Sequence, residues 1–514
     1  MTYGDRDEVI DSRYLQTCDV PQDALKIEPF TLLIFGGTGD LSRKKLMPII
    51  SGLFERGKLP EHFSILGFGR TGMKDNEFRN LIKESLREFY SQNYDEAVSD
   101  KFSSHLYYMP GNVGEDSTMK MLAGRLDELS TGVDKGRRNV IFYLAVPPAT
   151  MPAIIHRLKD FNLCKGAKIV VEKPFGTNRE TARTLNLILR DAFDEEQIYR
   201  IDHYLGKETV QNIMFFRFAN SIFERLWNES DIDNVQITAA EDIGVASRGE
   251  FYDSNGVVRD IVQNHILQII GMIAMEPPVG FKADYIRDEK IKVVRSIRPM
   301  GSDYIDRCMV RGQYGAGKMG DATAAGYRDE DKVSPSSVTP TFFAGKFYVD
   351  NLRWAKVPFY VRAGKRLRKR VTEICLQFKP LPLRLFGRIC DIMEPNALVL
   401  TIQPEEKISL RFGVKYPFSE NQIWPVNMDF CYRGAFPQEH YSAYERLLID
   451  CMKGDLTLFV REDMVEAMWE VVDPIIERWD SISPGDFPNY EAGSWGPEAA
   501  DSLIKQDGRR WLTA

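Results

Sequence analysis

Long apolar runs are missing from this chain of 514 residues, and none approaches the length that spans a bilayer. Positive charge is not in excess: 67 lysines and arginines against 74 aspartates and glutamates leave a net charge of −7. That balance disfavours nonspecific nucleic-acid binding, but a pocket inside an acidic protein can still be basic, so small anionic substrates stay open. Cysteine is sparse. Cys18, Cys164, Cys308, Cys375, Cys390, Cys431 and Cys451 show no CxxC spacing, and an odd, dispersed set predicts reduced thiols and a cytoplasmic setting. The opening MTYGDRDEVIDSRYLQ is too acidic and polar for a signal peptide, and a loose arm is expected over residues 1–28. Histidine occurs only six times, so each one inside a polar constellation is a candidate for chemistry. What remains is an ordinary globular composition in a chain too long for one simple core, and two domains are expected.

FTLLIF, from Phe30, is a short apolar run of the kind a buried parallel strand requires. GGTGDLSRKKL follows, then an apolar pattern through Leu46, Ile49, Ile50 and Leu53 that suits a helix. Strand, glycine turn and helix are the setting of a dinucleotide-binding turn: glycine permits close backbone approach to a pyrophosphate, and the helix start offers unpaired N–H groups. Gly36, Gly37 and Gly39 do not form GxGxxG, so spacing alone leaves a plain glycine turn open. FSILGFGR ends on Arg70, where an acidic residue would grip the ribose of NAD. An arginine there suits the 2′-phosphate of NADP, with an exposed surface cation as the bland alternative, and Arg43 can add to the contact. HLYYMPG, NVIFYLAVPP and AKIVVEKPFG continue the alternation, with Pro147 closing the fourth strand and Lys173 the fifth. A helix over about residues 179–194 ends the series. The rhythm predicts a Rossmann-like doubly wound domain over residues 29–199.

RIDHYLGKE, residues 200–208, interleaves ionisable groups with Ile201, Tyr204 and Leu205. A core segment would need a partner for each of those groups. The stretch reads as a pocket wall, with an ion-paired turn as the alternative; His203 and Lys207 are suited to an anionic group and Asp202 to orienting a base. Beyond it the strand–helix rhythm stops. TVQNIMFFRFAN suits a helix, while VQITAAEDI, TEICLQF, ALVLTIQ and KISLRF alternate as half-buried strands, with a hairpin turn at residues 404–406. Residues 200–514 are expected to form a larger α+β domain with a mainly antiparallel sheet. A buried helix over about residues 256–275 is interrupted by Asp260, Asn264, His265 and Gln268. Taken singly, His265 is more often a hydrogen-bonded core residue than a base. RAGKRLRKR, residues 362–370, suggests a nucleic-acid patch in isolation and a solvated basic edge inside an acidic protein.

Four stretches in order, FGGTGDLSRKKL, VEKPFG, RIDHYLGKE and VVRDIVQNHILQ, together resemble the glucose-6-phosphate dehydrogenase family. That resemblance implies oxidation of the C1 hydroxyl of glucose 6-phosphate to the 6-phospho-lactone, with hydride transfer to NADP, as the first step of the oxidative pentose phosphate route. The family's turn has this GxxGDL form, which implies cofactor contacts from Gly36, Gly37, Thr38, Gly39, Asp40, Leu41, Ser42 and Arg43, with Arg70, Pro147 and Lys173. It implies His265 as general base paired with Asp202, and His203, Tyr204 and Lys207 on the sugar phosphate. Glu241 and Asp260 would take sugar hydroxyls, and Lys173, Lys365, Arg370 and Gln403 would complete the substrate site. A cis peptide before Pro174 is implied as well. No metal, nucleic acid or membrane is expected, and the family points to a homodimer or homotetramer. Mammalian members hold a second, structural NADP through basic side chains. Where that site aligns, this chain has Val371, Cys375, Thr401 and Trp495, which make no charge-assisted bond to phosphate, so no second NADP is expected and the chain resembles the bacterial members. The alternatives are a dehydrogenase of another sugar or sugar phosphate and a non-catalytic, dinucleotide-binding redox sensor. The cations His203, Lys207 and Lys365 argue against a neutral sugar; intact His265 and residues 36–40 argue against a sensor.

Overall fold

The computed structural model describes residues 26–90, 94–130, 139–382, 394–419, 422–436 and 441–512. Most of the expected N-terminal arm, with Cys18, and also Cys390, lies outside the described residues. Six short apolar segments build the first sheet: β1 (Phe30–Phe35), β2 (Phe63–Gly69), β3 (Leu106–Pro110), β4 (Val140–Leu144), β5 (Lys168–Val171) and β6 (Ile198–Arg200). All run parallel, in the order β3-β2-β1-β4-β5-β6. Every residue of β1 and β4 is buried, as strands covered on both faces must be. Strand order reverses between β1 and β4, so the loops that follow these two strands diverge and leave a crevice, the place where doubly wound sheets take nucleotides.

Past β6 the architecture changes. Eight strands form one sheet in the spatial order Ile423–Cys431, Lys407–Lys415, Ala397–Gln403, Val371–Phe378, Ile232–Ala240, Pro358–Gly364, Phe342–Tyr348 and Met309–Gly312. Ile232–Ala240 and Pro358–Gly364 pair in parallel, and the other neighbours are antiparallel. Ala397–Gln403 and Lys407–Lys415 are joined by the turn at residues 404–406, which opens with a cis Gln403–Pro404 bond. The last long helix, Glu462–Asp480, packs back on Arg179–Ala192 of the first half, and its Trp469 indole N–H donates to Phe175 O at 2.8 Å.

The segment expected as one helix over about residues 256–275 is three pieces. Gly256 breaks it at φ +64°, in the left-handed region that favours glycine, and the Val257 N–H donates to Pro340 O at 3.0 Å. Val258–Ile266 is wound as a π-helix, and Leu267–Ala274 returns to α geometry. Apolar periodicity cannot announce the wide turn, because the segment is buried on nearly every side and has no polar stripe to mark the winding. Cys164, Cys308, Cys375, Cys431 and Cys451 are unbridged thiols. Among the described residues no helix is long and apolar enough to cross a membrane.

Candidate active site

The turn after β1 is built around its glycines. Gly36 has φ +84°, and the N–H groups of Gly36 and Gly37 both donate to Phe68 O, at 2.9 and 3.1 Å. Gly39 N–H donates to Gly36 O at 2.9 Å. A Cβ on Gly36 would lie 2.4 Å from Ala145 O, and one on Gly37 would lie 2.6 Å from Gly67 Cα. These glycines therefore serve the packing of the turn between β2 and β4. The donors left for an anion are those of the helix start that follows, at Asp40, Leu41 and Ser42. The Ser42 hydroxyl is buried there without a partner, a polar atom suited to a bound phosphate. Arg43 is steered by its Nε bond to Ser85 Oγ at 3.0 Å, and Asp40 accepts from Lys44 at 2.9 Å. Thr38 sits inside the same turn. Arg70 and Pro147 are exposed at the ends of β2 and β4, on the same side of the sheet.

Three elements meet opposite that turn. The loop after β5 supplies Lys173, whose bond to Pro174 is cis. The loop after β6 supplies Asp202, His203 and Tyr204, and the π-helix supplies Asp260 and His265. Asp202 Oδ1 lies 2.6 Å from His265 Nδ1 and accepts from the Tyr204 N–H at 2.9 Å. Lys173 Nζ lies 3.1 Å from His265 Nε2, 3.1 Å from Asp260 O and 3.4 Å from Asp260 Oδ1. Two residues five apart project about 140° apart on an α-helix. The wider π turn brings Asp260 and His265 to one side, where a single lysine touches both. Tyr204 stacks on the His265 ring at 4.1 Å and 15°, and His203 meets it edge-on at 4.5 Å.

Electrostatics follow from burial and these contacts. Burial alone would raise the Asp202 carboxyl, but His265 beside it holds the group well below the usual carboxylate range, so Asp202 is ionised. Burial lowers His265, Asp202 opposes that, and Lys173 adds to the lowering, so the imidazole is neutral near pH 7. A neutral ring beside a carboxylate donates from Nδ1, which leaves the lone pair on Nε2. That is the state of a general base awaiting a proton. Asp202, His203 and His265 also have the closeness of a metal trio. The fit is poor: Asp202 and His265 already bond to each other, and the Lys173 ammonium stands at the remaining His265 nitrogen.

Further from His265 the wall is cationic. Lys207 Nζ donates to Gln403 Oε1 at 2.7 Å, Gln403 Nε2 donates to Thr372 Oγ1 at 2.8 Å, and Thr372 Oγ1 lies 3.3 Å from the Tyr204 hydroxyl. Burial, with Arg370 nearby, pulls the Lys207 ammonium down to about 8. Lys365 is ion-paired with Glu241 and lies 5.0 Å from the centre of the Tyr252 ring. Burial would raise Asp260, but Lys173, Lys365 and His265 together hold it below its ordinary value.

Residues 33–212 match the family model described as the NAD binding domain of glucose-6-phosphate dehydrogenase, and residues 214–512 match its C-terminal domain. The chain belongs to the glucose-6-phosphate dehydrogenase family. The glucose-6-phosphate 1-dehydrogenase of Aggregatibacter actinomycetemcomitans is 43% identical over 491 residues, 95% of this chain and 98% of that one. The Bacillus subtilis (strain 168) enzyme of the same name is 42% identical, over 93% of this chain and 97% of its own. A crystal structure of the Mycobacterium avium enzyme superposes with a TM-score of 0.82 at 35% identity, covering 95% and 98% of the two chains. A glucose-6-phosphate dehydrogenase in complex with its substrate superposes with a TM-score of 0.86 at 32% identity, covering 95% and 99%.

Of the substrate-site residues that resemblance to glucose-6-phosphate dehydrogenases suggested, the structure gathers Lys173, Asp202, His203, Tyr204, Asp260 and His265 into one cluster. Lys207 with Gln403, and Lys365 with Glu241, form its two flanks. Arg370 is exposed and joins through its field on Lys207 rather than through a direct bond. Motif reading missed Glu172, Thr372 and Tyr444. Glu172, raised by burial, accepts from Tyr143 OH at 2.6 Å and from Tyr444 OH at 3.5 Å, and the Tyr444 ring lies parallel to His203 at 6.1 Å. Glu172 was visible inside EKP; Thr372 and Tyr444 lie in stretches with no chemical pattern, and only packing brings them here.

Proposed function

We infer that the chain oxidises the C1 hydroxyl of glucose 6-phosphate to the 6-phospho-lactone, with NADP as hydride acceptor. The observation that carries this is the buried Asp202–His265 pair, with its Nε2 3.1 Å from the Lys173 ammonium. Supporting it are family membership over both halves of the chain and a related structure that holds glucose 6-phosphate. In this reading His265 Nε2 takes the C1 hydroxyl proton as hydride leaves the same carbon, and Asp202 stabilises the imidazolium that forms. The arriving hydroxyl replaces Lys173 at Nε2, and Lys173 remains beside the reacting carbon as a fixed charge. Lys207 and Arg370 supply charge to the phosphate and Tyr204 its hydroxyl, while His203, expected as a cation, is held neutral by burial and by the neighbouring His265 and Lys173, so it can offer only a ring N–H. Glu241, Asp260, Lys365 and Gln403 take the ring hydroxyls, for which carboxylates are good acceptors. A dinucleotide held by residues 36–43, Pro147 and Lys173 supplies the hydride acceptor when bound. Arg70, exposed past β2 with no acidic residue beside it in sequence, favours the 2′-phosphate of NADP.

Reduced-nicotinamide absorbance tests this, with glucose 6-phosphate and NADP in one cuvette and NAD or unphosphorylated glucose in others. Signal with the sugar phosphate and NADP is expected. Equal signal with NAD removes the role given to Arg70, and silence from folded protein in every cuvette removes the reaction.

A further inference from the structure

Arg366, inside the basic run 362–370, is a cation that the mechanism above does not use. Strands Ile232–Ala240 and Pro358–Gly364 run in parallel and end level, with Ala240 opposite Gly364. The residues that follow them are therefore neighbours: the Glu241 N–H donates to Gly364 O at 2.9 Å, and Lys365 pairs with Glu241. The chain then turns at Arg366, whose φ of +52° lies in the left-handed region that disfavours any residue with a Cβ. Such a conformation persists only where its surroundings hold it. Backbone bonds tie the turn to two loops: Arg366 N–H donates to Ile243 O at 3.2 Å, Leu367 N–H to Glu241 O at 2.9 Å, and Arg366 O accepts from Gly493 N–H at 2.8 Å. The Arg366 side chain ties it to a third. Its Nη2 donates to Glu330 Oε1 at 3.2 Å, and the same oxygen accepts from the Tyr314 hydroxyl at 3.0 Å. Tyr314 is fully buried and the Glu330 side chain is only 10% exposed, so the guanidinium meets an anchored carboxylate and not a solvated one. Gly244 leaves the room this pair needs: a Cβ there would lie 2.0 Å from Glu330 Oε1 and 2.9 Å from Arg366 Nε.

We propose that Arg366 is a positioning residue for the sugar end of the site, its ion pair with Glu330 holding the left-handed turn that seats Lys365 on Glu241. The proposal rests on the assignment of Lys365 and Glu241 to the substrate. Lys365 and Arg366 are adjacent cations, and each has its own carboxylate, so neither competes for the other's. Lys365 is buried, with Nζ 5.0 Å from the centre of the Tyr252 ring, and it bonds Glu241 through Oε2. The Glu241 side chain is still 32% exposed, so a carboxylate oriented by Lys365 keeps lone pairs to offer a sugar hydroxyl. The Asp202–His265 pair stands on other elements. Loosening the turn therefore weakens the hold on the sugar and leaves the base as it is.

The test is Arg366→Met, which keeps the stem and removes the charge. KM for glucose 6-phosphate is expected to rise about five-fold or more, with kcat and KM for NADP within about two-fold, because a misplaced binding pair weakens ground and transition states alike. Gly244→Ala displaces the same pair without altering any charge and should raise KM in the same way, while Arg366→Lys should return it part of the way. A parental KM in folded Arg366→Met overturns the proposal. So does a matching fall in kcat and in NADP affinity, which marks a general loss of structure. A second measurement needs no turnover: acylation of lysines by acetic anhydride, read by peptide mass spectrometry. Lys365 should label several-fold faster in Arg366→Met than in the parent, with Lys173 unchanged. Equal labelling of Lys365 overturns the proposal, whereas a parent enzyme silent on glucose 6-phosphate overturns the reaction and leaves the labelling comparison valid.

Discussion

Asp202 fixes what His265 can do, because a carboxylate 2.6 Å from Nδ1 makes the ring a donor there and leaves only Nε2 to accept. His265→Asn keeps a polar side chain of similar reach but has no basic lone pair. It is expected to lower kcat by about two to four orders of magnitude, with substrate affinity by calorimetry within a few-fold of the parent. Retained turnover would place the base elsewhere. Lys207 gives a second prediction at this scale. Its ammonium titrates near 8, so it is charged below that pH and neutral above, and a phosphate held by it is released as pH rises. KM for glucose 6-phosphate is expected to climb through pH 8 with little change in kcat, and Lys207→Gln should show the raised KM without the climb. Steady-state kinetics across that range check both.

At the scale of elements, two local departures from regular structure make the site. The π-helix Val258–Ile266 turns Asp260 and His265 to the same lysine, an arrangement α winding would not provide. The glycine turn after β1 lets the first helix start in the crevice between β1 and β4. Gly36→Ala puts a Cβ 2.4 Å from Ala145 O at a φ of +84°, so the turn must open. That variant is expected to lose NADP binding by fluorescence titration while keeping its far-ultraviolet circular dichroism; undiminished affinity would mean that the cofactor does not sit on this turn.

Over the whole molecule, the edge strand Ile423–Cys431 is exposed on both faces and carries Trp424, Met428 and Phe430 toward solvent. A long, apolar sheet edge is a pairing surface unless something covers it, which supports a homo-oligomer assembled there. If a second copy pairs on this strand, Met428→Lys together with Trp424→Lys is expected to lower the mass by light scattering to that of one chain; an unchanged mass would remove this strand as a pairing surface. The same sheet bears on a second dinucleotide. Val371, Cys375 and Thr401 are buried in it, and Trp495 lies against the Arg362 guanidinium at 4.6 Å, with Trp511 at the same distance. Purified protein is expected to release no stoichiometric dinucleotide on denaturation, measured by absorbance of the filtrate.

Apolar runs of strand length alternating with helical periods were enough to specify five of the six parallel strands, because each is buried on both faces and its composition says so; Ile198–Arg200, only three residues long, carries no such run. Alternation specified four of the eight strands of the second sheet, and short motifs carried the residues 36–43, Lys173, Asp202 and His265. These signals are local, and sequence determines them directly. The π winding, the reach of Lys173 to both Asp260 and His265, and the arrival of Thr372 at Tyr204 and of Tyr444 at His203 were decided by tertiary structure alone. Residues far apart in the chain meet only when sheets and helices pack, and a segment buried on nearly all sides carries no periodic mark of how tightly it is wound.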